Sequence, residues 1–334
     1  MFHGRDHLNR LAHSFLGAFI VLLHALGGLA VALCLRIVLG VSVVLICLSS
    51  SAIGQYREVG NSLKMAFVLA PAGQFQMGSP ANEKDSEADE SLRQVTITKP
   101  FYIGKTEVTQ SQYEAVMGFN PAYFQGDVMA ERDPDTGRIT KEVDTSNYPV
   151  ESICWDDAVE FCKRLSNRPE EMRAGRSYRL PTEAEWEYCC RAGSDRRFDF
   201  GDSEKTLMGS AWYAMNCGDR TMSPDVIAGK DRGELVRRLQ EFRCRTREVA
   251  TKKPNSWGIY DMHGNIWEIC SDWYGPYDKG PVADPQGPPQ GDYVVVRGGG
   301  WAGMASSCRC ASRDMTRSDQ RDWVNGFRVV MTVR

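Results

Sequence analysis

The chain has 334 residues, of which 42% are hydrophobic and 25% charged, with a formal net charge of −3. A chain of that size buries a core without needing disulfides merely to hold its fold, and the near-neutral balance gives no reason to invoke nucleic acid. The 8 Trp, 12 Tyr and 31 Gly fit a loop-rich body held by packed rings better than a helical bundle.

Phe15 to Leu35 is almost entirely apolar, Arg36 interrupts, and a second apolar run from Ile37 to Leu48 leads to Ala52-Ile53-Gly54. Arg36, that run and the small residues follow the charged, apolar and cleavage regions of a secretory signal, so cleavage after Gly54 is expected. The Phe15–Leu35 run is itself long enough to cross a bilayer. Residues 1–54 therefore read as a signal peptide or an N-terminal membrane segment, and the protein as exported: periplasmic, extracellular or membrane-anchored. Bulky Ile46 stands where lipidation of Cys47 would want a small residue. Residues 55–63 read as a linker, and 64–334 as the body.

The body opens with Phe67 to Ser79, two short strands joined at a Pro/Gly turn. Pro80 to Leu92 is polar and acidic, hence an exposed loop. Val95 to Thr98 and Phe101 to Ile103 read as strand. Thr109 opens a helix through Val116, closed by Gly118. Asn120 to Asn147 has no clear periodicity and reads as loop. Ala158, Phe161, Cys162 and Leu165 recur at helical spacing, so one face of that segment is buried, with Asp156 and Asp157 capping its start. Thr182 and Glu185 form a Thr-x-x-Glu capping box ahead of Trp186 and Cys190, which share a face. Residues 219–249 look like a basic insertion, with Leu235, Leu239 and Phe242 on one short helix. Tyr293 to Arg297 and Gly326 to Thr332 read as brief strands, and no repeat is present. A few short helices among many short strands and long loops make an α+β body.

Eleven cysteines occur, two in the leader (Cys34, Cys47) and nine in the body. An odd body count leaves at least one thiol free or paired between chains, and export permits disulfides. No pair of CxxC motifs suggests a structural zinc site. The body's histidine is limited to His263, which excludes a three-histidine iron centre, and no nucleophile-elbow motif accompanies it. Asp261 and Glu268 flank a Gly-containing turn; with the carbonyls of Gly264 and Ile266 they can wrap a hard cation such as calcium.

Further blocks stand in order along the body: Phe67-Val68-Leu69-Ala70-Pro71-Ala72-Gly73 with Met77-Gly78-Ser79; Phe101 to Thr109; Arg179-Leu180-Pro181-Thr182-Glu183-Ala184-Glu185-Trp186; Gly258 to Glu268; Arg297-Gly298-Gly299; Gly326-Phe327-Arg328. Together they resemble the formylglycine-generating-enzyme (sulfatase-modifying-factor) family. The resemblance implies a C-type-lectin-like variant fold, with bound calcium at Asp261, Gly264, Ile266 and Glu268. A second family calcium site is less well matched, because one ligand position holds Trp212. The resemblance also implies a copper- and dioxygen-dependent oxidase that converts a sulfatase Cys-x-Pro-x-Arg cysteine to formylglycine. That chemistry uses two cysteines as soft donors to Cu(I). Here Gly303 stands at the first of them and Met304 where a histidine commonly follows, and only Cys308 matches a catalytic cysteine. Cys310 matches a structural cysteine whose family partner is Cys190, which implies a Cys190–Cys310 disulfide. Cys162 would pair at Val329, so that bridge is absent. A Cys308–Cys310 copper pair is open if the segment is a strand, since alternate side chains then share a face. The expected function is an exported module binding an extracytoplasmic protein (a sulfatase included) or a glycan; the alternative is the oxidase itself.

Overall fold

The computed structural model describes residues 58–133, 135–227 and 231–333. The expected leader, 1–54, and the start of the expected linker lie outside them. Among the described residues no helix is long and apolar enough to cross a membrane.

Among the described residues, four sheets and eight short helices make up an α+β body, as the strand and helix patterning requires. The first sheet has five strands: β1 (Glu58–Gly60), β2 (Ala66–Ala70), β5 (Phe101–Gly104), β14 (Val330–Val333) and β8 (Arg176–Arg179), in that spatial order. β1 lies within the segment read as linker and pairs antiparallel with β2. A second sheet orders β10 (Val282–Ala283), β4 (Arg93–Ile97) and β3 (Gly73–Met77), and a third orders β12 (Arg313–Arg317), β11 (Tyr293–Arg297), β9 (Trp267–Trp273) and β13 (Asn325–Gly326). The single strand expected over Gly326 to Thr332 is broken. β13 pairs with β9 and β14 with β5 and β8, so the chain changes sheets between them.

The helix signals act locally. Thr109 caps α1 (Gln110–Met117) in a reciprocal box with Gln112, and Gly118 ends it in the left-handed region at φ 86°, where a side chain is costly. The expected loop over Asn120 to Asn147 holds α2 (Gly126–Met129) and a small hairpin of β6 (Glu131–Arg132) and β7 (Ile139–Lys141), elements too short to carry a periodic signal. α3 (Trp155–Ser166) buries Ala158, Phe161, Cys162 and Leu165. α4 (Pro169–Arg173) precedes β8, and α5 (Glu183–Arg191) follows it, capped by Thr182 and Glu185. α6 (Glu204–Leu207), α7 (Pro224–Ile227) and α8 (Arg232–Glu241) complete the set. The last presents Leu235 and Leu239, with Phe242 as its cap, to an apolar cluster that also holds Trp301 and Cys308.

Helix α5 is buried at every one of its 9 residues. Buried acids need charged partners. Glu183 pairs with Arg313, Glu187 with Arg191 and Arg297, and Glu185 with the partly exposed Arg179. This helix is the hub on which β3, β9 and β11 pack, and it brings the glycine block after β11 toward the loop before β9.

Candidate functional site

The loop from Asn255 to Ile266 is built on left-handed turns at Asp261 (φ 59°), Gly264 (φ 91°) and Asn265 (φ 63°). A Cβ on Gly264 would lie 2.2 Å from the Trp212 carbonyl oxygen, so only glycine lets the two segments meet. The Trp212 carbonyl accepts from the Asn265 N–H at 2.6 Å, and Gly264 donates to the Gly298 carbonyl at 2.7 Å.

Asp261 accepts from the Ala250 N–H at 2.7 Å. Glu268 accepts from the Arg328 guanidinium through both oxygens at 2.5 Å and from Trp186 Nε1 at 2.8 Å. A third acid completes the group. Glu107 takes one bond from Asn265 Nδ2 at 3.1 Å, while its Oε2 is buried with no hydrogen-bond partner. Burial, reinforced by Asp261 and Glu268, holds the Glu107 carboxyl well above the ordinary range, and burial lifts Asp261 to about 6. Three carboxylates facing one guanidinium leave negative charge that a hard dication would neutralise. The orphaned oxygen of Glu107 is the donor such an ion lacks. The fold brings Asp261 and Glu268 together with Glu107 beside them, but these acids are not drawn to ligand spacing around one point, and Glu268 is held through both oxygens by Arg328. Sequence reasoning passed over Glu107 because it lies 158 positions from Asn265 in a stretch that reads as an ordinary strand end.

The glycine block is equally constrained. Arg297, without solvent exposure, pairs with Glu187 and donates to the carbonyls of Cys310 at 3.0 Å and Ala311 at 2.8 Å. Gly298 and Gly299 are left-handed (φ 96° and 72°), and a Cβ on Gly299 would lie 2.9 Å from Cys308 Sγ. Cys308 ends a 3₁₀ turn, Ala305–Cys308, so it and Cys310 do not alternate along a strand. The Cys308 thiol packs on Gly299, whereas the Cys310 sulfur lies 3.6 Å from that of Cys190. The last two are thiols in contact, without the covalent bond expected of a Cys190–Cys310 disulfide.

A family model described as a sulfatase-modifying factor enzyme 1-like domain matches residues 56–333. The chain belongs to the sulfatase-modifying-factor family. It is 30% identical over 253 residues to the chaperone protein LppX of Paenibacillus barcinonensis, covering 67% of this chain and 77% of that one. It is 28% identical over 299 residues to the formylglycine-generating enzyme of Streptomyces coelicolor, covering 78% and 87%. The solved structure of Treponema denticola variable protein 1 superimposes with a TM-score of 0.62 at 26% identity, covering 82% of this chain and 98% of that one. The C-type-lectin-like expectation for the fold stands with these sulfatase-modifying-factor relatives.

Copper does not fit this member of the family. A Cu(I) site of the oxidase type takes two thiolates. Gly303 supplies only backbone, and that backbone is tied at both ends: its N–H donates to Gly300 at 2.8 Å and its carbonyl accepts from Ala214 at 3.0 Å. Cys308 is fully buried and desolvation pushes its thiol up to about 12, so it is protonated at neutral pH. Two cysteines that sequence reasoning left unassigned lie in the same apolar cluster. Cys217 donates to the Trp301 carbonyl at 3.0 Å. The Cys217 thiol also bonds to the Cys244 sulfur, which holds Cys244 below its ordinary value with help from Arg247 and Arg245. Both are buried. The signal that could have found the pair is their position on either side of residues 219–243.

Proposed function

We propose that this sulfatase-modifying-factor protein is exported and binds a segment of another extracytoplasmic protein without oxidising it. The observation that carries the reading is the buried, protonated Cys308, packed on Gly299, with no side chain at Gly303 to supply a second thiolate. An aromatic platform beside the same block supports a binding role. Tyr123 and Trp323 are 44% and 47% exposed, with ring centroids 4.8 Å apart. Trp301 of the glycine block lies beneath them, its Nε1 donating to the Trp323 carbonyl at 3.0 Å and its ring meeting Phe124 edge-on. Rigid exposed aromatics give contact area at small entropic cost and dominate binding energy at interfaces. The chaperone named among the relatives points the same way. Calcium held by Asp261, Glu268 and Glu107 would neutralise the buried acids and pin the loop that backs the block.

The test is to offer the exported chain, with copper, a Cys-x-Pro-x-Arg peptide, and in parallel peptide and glycan arrays. The expected result is no aldehyde by mass spectrometry, with peptide binding that weakens at least about tenfold in Trp323→Ala. Binding to glycans alone would replace the protein partner by a carbohydrate. The second reading, the formylglycine-generating oxidase, rests on the Streptomyces relative; aldehyde formation lost in Cys308→Ser would establish it.

A further inference from the structure

The excursion over residues 218–243, which carries α7 and α8, begins and ends at one place. At its base the Asp219 N–H donates to the Phe242 carbonyl at 2.9 Å, and the Asp219 carboxylate pairs with Arg245 at 2.6 Å and Arg243 at 3.4 Å. A Cβ on Gly218 would lie 2.4 Å from the Phe242 carbonyl oxygen and 3.2 Å from Cys244 Sγ. Glycine is therefore what lets the outgoing and returning stretches touch. Cys217 and Cys244 stand immediately outside that contact, one on each stretch, and both belong to the apolar cluster that holds Trp301 and Cys308.

The two thiols touch each other and are unequal. Cys217 has no solvent exposure, and burial holds its thiol well above the ordinary value. Cys244 keeps 7% of its surface exposed. The bond from Cys217, then the charges of Arg247 and Arg245, favour its thiolate. Arg247 is fixed beside the pair, its Nε donating to the Cys217 carbonyl at 2.7 Å. A thiol with some access and guanidinium groups beside it is the attacking member of such a pair. The deeper thiol is then placed to resolve the mixed disulfide that results.

We propose that Cys217 and Cys244 are a cross-linking site, joined as a disulfide by exchange with a small-molecule disulfide such as oxidised glutathione, so that residues 218–243 are closed into a loop at their base. The Cys244 thiolate attacks one sulfur of the oxidant, forming a mixed disulfide and releasing one glutathione thiolate. Cys217 then attacks the Cys244 sulfur, and the second glutathione departs as a thiol with the Cys217 proton. The two cysteines lose two electrons between them and the oxidised glutathione gains them. The link constrains a segment whose Leu239 packs in the cluster of Cys308, so oxidation holds α8 on that cluster and reduction lets it open. The pair is separate from Cys190 and Cys310, and the inference does not depend on what Cys308 does.

Oxidised glutathione is the probe. The native chain, reduced and desalted, is incubated with it at neutral pH, quenched in acid, alkylated in denaturant and digested. Mass spectrometry is expected to find a peptide joining Cys217 to Cys244 that dithiothreitol separates. Cys217→Ala should stop at a glutathione adduct on Cys244, and Cys244→Ala should leave Cys217 unmodified. The linked chain should also melt above the reduced one by calorimetry, a rise absent in Cys217→Ala. Peptide mapping of the unsubstituted chain needs no variant, so a misfolded variant does not blunt the test. The proposal fails if Cys217 and Cys244 are both recovered alkylated after oxidation, or if either is joined to a different cysteine. An adduct on Cys217 with none on Cys244 would overturn the assigned order of attack.

Discussion

Glu268 and Arg328 form a two-bond ion pair at 2.5 Å with neither side chain exposed to solvent. The same guanidinium donates to the carbonyls of Gly104 at 3.0 Å and Tyr260 at 3.1 Å, so it ties a strand end, the Asn255–Ile266 loop and the start of β9 together. Removing one partner of such a pair leaves a buried charge without compensation. Arg328→Met is therefore expected to lower the unfolding free energy by about 3–5 kcal/mol in urea titrations. The double change to Glu268→Leu with Arg328→Met should recover part of that loss, because no charge is then stranded.

Glu107 separates two roles in a second experiment. Its Oε2 has no partner and its carboxyl faces Asp261 and Glu268. Calcium at a hundred times its dissociation constant should stabilise the native protein by about 2.7 kcal/mol, read as a chelator-reversible rise in Tm by calorimetry. Glu107→Gln replaces a carboxyl that burial already holds toward its neutral form, so without calcium the variant should unfold no earlier than the parent, while its calcium-dependent rise should shrink or vanish. An unchanged calcium response in Glu107→Gln would remove this acid from the site.

Asp272 makes a pH-dependent contribution. It is buried at the start of α5, where it accepts from the Glu183 N–H at 3.0 Å. Burial, then the Glu183 charge, raises its carboxyl to about 7. The folded protein thus binds this proton more tightly than the unfolded chain. The associated stability is complete below about pH 4, falls by about 1.4 kcal/mol per pH unit above it, and is gone above about pH 7. Asp272→Asn removes that slope. Chemical unfolding of both forms at pH 5 and pH 7 should show the difference moving in favour of the variant by about 2 kcal/mol.

Thiol accessibility tests the reading of Cys308. All 9 cysteines among the described residues are buried as free thiols, and the thiolate is the reactive form. Brief iodoacetamide treatment of the native chain should leave Cys308 unlabelled by mass spectrometry, and denaturant should expose it. Rapid native labelling of Cys308 at neutral pH would contradict its placement against Gly299.

Thr109 with Gln112 and Gly118, and Thr182 with Glu185, were legible because each motif acts within one or two helical turns. The ordered blocks from Phe67 to Arg328 likewise announced the family. The broken strand around Phe327 and the hairpin within 131–141 were not legible: their form depends on which sheet or turn receives them.

Local chemistry along the chain was enough to determine an α+β body, its capped helices, its acid-bearing turn and the missing thiol at Gly303, since each is decided by residue type and near neighbours. Only the tertiary structure decided that Glu187 would meet Arg297 across 110 positions and His263 would meet Asp199 across 64. It also decided that Glu107 would stand beside Asp261, and that Cys310 would face Cys190 while Cys308 packed on Gly299. Such pairings arise when distant segments compete to desolvate charge and sulfur in one shared interior, and residue order alone does not rank those choices.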